Sequence, residues 1–109
     1  MKRIILTDCT GKWFNSDKAI KLEESTRWNG NNHISRETGS QWDHVWLWLT
    51  AGGTWVLNAW SQYQGSLETY EQIGESEALK FIVRNNCTVD ELPDTIRKSV
   101  EIARSNMEL

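Results

Sequence analysis

Apolar positions are densest over residues 41–63, QWDHVWLWLTAGGTWVLNAWSQY, where Val, Leu and Trp fill two arms around Thr50-Ala51-Gly52-Gly53-Thr54. Short aromatic and β-branched runs flanking a glycine pair predict a hairpin, because glycine takes the positive φ that a tight reversal needs. Two registers fit. A two-residue Gly52-Gly53 turn sets Ala51 opposite Thr54 and puts Trp48 and Leu57 on one face with His44, Ser61 and Trp42. A three-residue loop with Gly53 left-handed sets Thr50 opposite Thr54. Leu49 then faces Trp55, Leu47 faces Leu57 and Val45 faces Ala59, while Trp48 meets Val56, Trp46 meets Asn58, His44 meets Trp60 and Trp42 meets Gln62. The second register is expected, since it separates an aliphatic face from a mixed face of tryptophan, imidazole and amides, as in a half-buried antiparallel pair.

The flanking pattern supplies the remaining elements. Residues 2–7 (KRIILT) predict a strand, and Asp8-Cys9-Thr10-Gly11 a turn into Lys12-Trp13-Phe14, which makes a second hairpin. Residues 18–23 read as a short helix capped by Ser16 or Asp17, with a strand as the alternative because Ile20 and Leu22 also alternate. Asn29-Gly30 signals a hairpin tip or surface loop, and residues 36–40 a polar connection. After Gly65-Ser66, residues 67–73 (LETYEQI) resume an extended pattern beside the central hairpin, with Tyr70 opposed to Leu67, Thr69 and Ile73. A helix follows from Ser76 to Asn85 or Asn86 through Ala78, Leu79 and Ile82. Acidic residues and Pro93 then favour another helix start, with Leu92, Ile96, Val100 and Ala103 repeating about once per turn. The expected fold is α+β, an antiparallel meander around the Trp-rich hairpin with two C-terminal helices packed on the aliphatic face.

Length bounds this picture. A chain of 109 residues reads as one domain, with no room for a second core. A mean hydropathy of −0.58 and the lack of a long apolar run argue against a membrane span. The N-terminal apolar run is too short before Asp8 for a signal peptide, which points to the cytoplasm. Cys9 and Cys87 lack any disulfide-framework spacing and read as reduced thiols. Charge is uneven: residues 1–60 carry seven Lys/Arg against six Asp/Glu, and residues 61–109 five against nine. The strand region is thus near neutral and the helical end acidic, which argues against duplex DNA.

Candidate chemistry is sparse. Cys9, His33, His44 and Cys87 are ligand types, yet none comes in the close pairs that zinc sites use, so neither metal nor cofactor is expected. Gly65-Ser66-Leu67 lacks the second glycine of a nucleophile elbow, and there is no glycine-rich phosphate loop. What remains is the mixed face, with His44, Trp46, Asn58, Trp60, Gln62 and Gln64 as candidate binding residues, because flat rings flanked by amides stack on a partner while the amides fix its orientation. The competing expectation is that Trp13 and Phe14 of the N-terminal hairpin pack over these rings as a second hydrophobic layer. The leading functional expectation is a protein-binding or regulatory module whose partner is another protein or a second copy of itself. Single-stranded nucleic-acid binding through Trp stacking is the rival. An enzyme with an unfamiliar site stands third.

Overall fold

Among the described residues, eight short strands precede two helices. The computed structural model describes residues 2–28, 33–35, 43–62 and 67–108. The strands are β1 (Arg3–Ile5), β2 (Trp13–Asn15), β3 (Ile20–Glu23), β4 (Thr26–Trp28), β5 (His33–Ser35), β6 (Asp43–Leu49), β7 (Trp55–Ser61) and β8 (Thr69–Ile73), and the helices are α1 (Glu75–Asn85) and α2 (Asp94–Asn106). All pairings are antiparallel: β3-β6-β7-β8 form a four-stranded sheet, while β1-β2 and β4-β5 are separate two-stranded ladders. Asn29-Gly30, the 36–40 connection, Trp42 and Gln64 lie outside the described residues.

The central hairpin, β6-β7, takes the register expected from its pattern, with Leu49 opposite Trp55, Leu47 opposite Leu57 and His44 opposite Trp60. Its loop closes through Thr50 N–H donating to the Thr54 carbonyl at 2.9 Å and Gly53 N–H donating to the Thr50 carbonyl at 2.9 Å. Gly53 sits at φ +84°, the left-handed geometry that a side chain disfavours. The Thr50 hydroxyl also accepts from Thr54 N–H at 3.0 Å, so the loop's own side chain completes the turn.

The aliphatic face is covered by both helices. Leu22, Leu47, Leu49, Trp55, Ala78, Phe81, Ile82, Leu92 and Val100 are buried together, with Leu57 and Ile96 packed against them. Phe81, at 1 % exposure among the most buried side chains, extends the helical stripe that Ala78, Leu79 and Ile82 marked. Residues 16–18 form a single 3-10 turn and residues 20–23 an edge strand, so the helix expected over 18–23 is replaced by its alternative. The reason is pairing: Ile20 and Leu22 face the same core as Leu49 and Leu47 across β3-β6, which an isolated six-residue helix cannot match. Asn85, buried at the C-terminal end of α1, locks this edge to the helix layer. Its Oδ1 accepts from Ser25 N–H at 2.9 Å and from the Ser25 hydroxyl at 3.1 Å.

The other side of the sheet carries a smaller second layer, in which Phe14 takes the place that the layered expectation gave it. Leu6, Phe14 and Val56 are buried there with Ile4, Ala19, Trp48 and Tyr70 around them. Phe14 meets Trp48 at 5.5 Å and Tyr70 at 6.2 Å between ring centroids. The β1-β2 hairpin is held on by the β8 edge: Thr7 N–H donates to the Tyr70 carbonyl at 2.8 Å, and Tyr70 N–H donates to the Thr7 hydroxyl at 2.9 Å. That pairing also occupies backbone groups which an open edge strand would present to another chain.

Candidate binding cleft on the mixed face

The N-terminal hairpin covers only part of the mixed face. Phe14 seals the end near Trp48, Val56 and Tyr70, as the layered alternative anticipated, whereas Trp13 of the same hairpin is 50 % exposed and takes no part in that layer. Towards the other end lie Trp46, His44 and Trp60, all half-buried. Here a cleft of about 300 Å³ opens, lined by Trp46, Trp60, Ser61 and Glu68. The two indoles meet edge to face, with centroids 4.9 Å apart and planes at 63°. This is a favoured geometry for a quadrupolar pair, and it exposes ring faces at an angle to one another.

Each ring is backed by a specific support. The His44 imidazole stacks on Trp60 with centroids 4.5 Å apart and planes at 29°. A carboxylate absent from the sequence-based candidates, Glu24, fixes that imidazole: its Oε1 lies 2.6 Å from His44 Nδ1, and its Oε2 accepts from Val45 N–H at 2.9 Å. The Glu24 side chain is 3 % exposed and that of His44 14 %. A carboxylate against Nδ1 places the proton there and leaves Nε2 as the unprotonated nitrogen. Among the described residues, His44 Nε2 and the Trp60 indole N–H are buried without a hydrogen-bond partner. On the opposite side, the Lys21 ammonium sits 4.3 Å from the Trp46 ring centroid, a cation held over a π face.

Asn58 is fully buried, so the accessibility expected of it is not met. Its role is internal. Oδ1 accepts from the Trp48 indole at 3.4 Å, and Nδ2 donates to Glu68 Oε1 and to the Thr69 carbonyl, both at 3.1 Å. Buried amides are satisfied in this way or they are costly. The arrangement aims the exposed Glu68 carboxylate at the cleft. Burial, then a hydrogen bond to Glu68 and the charge of that carboxylate, push the Tyr70 phenol up to about 12. Gln62 is exposed just beyond β7.

Of the expected binding residues, then, His44, Trp46 and Trp60 come together, Asn58 stands beneath them as a brace, Gln62 is exposed, and Gln64 is outside the described residues. Glu24 and Glu68 were missed. Glu68 was legible, because continuing the alternation of β8 back from Gln72 and Tyr70 puts it on the mixed face. Glu24 was not, since it reaches His44 from the end of a strand twenty positions away. Among the described residues no group of three or more His, Cys, Asp or Glu is placed to hold a metal ion, and Cys9 and Cys87 are unbridged. No helix among them is long and apolar enough to cross a membrane. Comparison of the chain with known protein families, with curated proteins and with solved structures finds no match.

Proposed function

We propose that this chain is a small protein-binding module whose working surface is the end of the mixed sheet face that the N-terminal hairpin leaves uncovered, Trp46 and Trp60 with Gln62 at the rim. One observation carries the reading. The N-terminal hairpin closes over Trp48, yet among the described residues a cleft of about 300 Å³ lies between two braced indoles and a carboxylate. Large rings held rigid by neighbours lose little freedom on binding, and such anchors dominate protein interfaces. A second copy of the same chain is one partner of this kind. Single-stranded nucleic acid is disfavoured by charge, because Glu68 stands at the stacking rings where a phosphate backbone calls for cations.

The test compares Trp60→Ala and Gln62→Glu with the parent chain in partner capture and in sedimentation for self-association, each variant with its own melting curve. Loss of roughly thirtyfold in affinity for Trp60→Ala, about 2 kcal/mol, is the expected effect of removing a buried anchor. Unchanged melting with lost binding supports the surface. Collapsed melting for Trp60→Ala together with normal binding by Gln62→Glu refutes it and leaves these rings as core.

A further inference from the structure

The cleft is also chemically selective. Its described lining consists of two indole rings, the Ser61 residue and one exposed carboxylate, Glu68. Ring faces carry negative quadrupole density and attract cations. The protein already uses that attraction next door, where the Lys21 ammonium rests 4.3 Å from the centre of the Trp46 ring and 5.9 Å from that of Trp48. Glu68 adds a formal negative charge, and its carboxylate keeps acceptor capacity beyond the bonds from Asn58 and Tyr70, having about four lone-pair sites. The size matches a single side chain, since about 300 Å³ is at the lower end of ligand clefts.

Resting on the proposed binding surface, we infer that the Trp46–Trp60 cleft receives an arginine side chain of a partner protein, its guanidinium lying on an indole face and its N–H groups turned to Glu68. Arginine is preferred to lysine for a physical reason. Glu68 is exposed, so the ion pair is weak and repays little dehydration. A guanidinium is more weakly hydrated than an ammonium and its flat plane stacks on a ring while still reaching a carboxylate. Stacking and pairing are therefore satisfied together. The brace behind the cleft serves the same end. Glu24 holds His44 and His44 holds Trp60, so the receiving face is set before the ligand arrives.

The experiment is a titration of ¹⁵N-labelled protein with a blocked Gly-Arg-Gly peptide, reading the indole N–H resonances of Trp46 and Trp60 assigned through Trp46→Phe and Trp60→Phe. The same titration is run with a lysine peptide, with a citrulline peptide that keeps the shape without the charge, and with oligo-dT. Expected are saturable shifts at both indoles with the arginine peptide and binding roughly tenfold weaker for citrulline, the combined loss of cation–π and charge pairing. Glu68→Gln keeps an acceptor for Asn58 and removes the charge, and it should weaken the arginine peptide about fivefold while resonances away from Asn58 and Tyr70 stay in place. Equal binding of arginine and citrulline overturns the inference, as does tighter binding of the lysine peptide. Stronger shifts with oligo-dT overturn it in favour of nucleic acid. If Glu68→Gln binds the cellular partner normally while Trp60→Ala, still folded, does not, the binding surface stands and the arginine assignment falls.

Discussion

Truncating Glu24 to Ala tests whether the support behind the cleft is a real energetic unit. The carboxylate is 3 % exposed and accepts from His44 Nδ1 at 2.6 Å and from Val45 N–H at 2.9 Å. Its removal strands two shielded donors, each worth about 1–3 kcal/mol when left unpaired, and entry of water offsets part of that. The expected loss is about 2–4 kcal/mol. Glu24→Gln retains an oxygen for Val45 N–H and allows the imidazole to change tautomer, so it should cost only about 1 kcal/mol. His44→Ala is the other arm, leaving a buried carboxylate without its ring partner and Trp60 without its stack, and it should cost about 3 kcal/mol. Urea denaturation reads all of these. With a slope near 1.5 kcal/mol per molar, a 3 kcal/mol loss moves the midpoint by about 2 M. The double variant should cost less than the sum of the singles by about 1–3 kcal/mol. A midpoint shift under about 0.5 M for Glu24→Ala, or additivity within about 0.5 kcal/mol, would refute the reasoning and make the contact incidental.

Two further outcomes follow from the fold. Leu47, completely buried between β3, β7 and the helices, should cost about 2–5 kcal/mol when cut to Ala, and a measured loss below about 1 kcal/mol would mean that this face collapses around the cavity. Tyr70, with its phenol pushed up to about 12 in the folded chain against about 10 when unfolded, stays neutral where the unfolded chain ionises. The unfolded state then binds fewer protons, so stability is full below about pH 10 and falls between about pH 10 and pH 12. Absorbance titration of the parent minus Tyr70→Phe should show the late ionisation, and Glu68→Gln should shift it earlier; a midpoint near 10 would contradict the burial.

The alternation of apolar residues carried most of the sheet. Because a strand's side chains change face at every step, only one register of residues 43–61 gathers Val45, Leu47, Leu49, Trp55 and Leu57 on one side, and Gly53 makes the matching loop possible. Ile96 and Val100 likewise had to share a helical stripe, with Leu92 buried beside them from the turn before α2, and an apolar stripe must find an apolar face. Local sequence was ambiguous at Ile20 and Leu22, where the two periods overlap over a few residues, and the decision came from pairing with β6. The candidate cleft divides along the same line. His44, Trp46 and Trp60 were legible because register alone puts them on one face. That Asn58 is a brace and not a contact, that Phe14 covers one end while Trp13 remains outside, and that Glu24 stands behind His44 depend on how separate segments dock. Such docking is set by packing volume and by satisfying buried polar groups across the whole molecule, so no local period in the sequence encodes it.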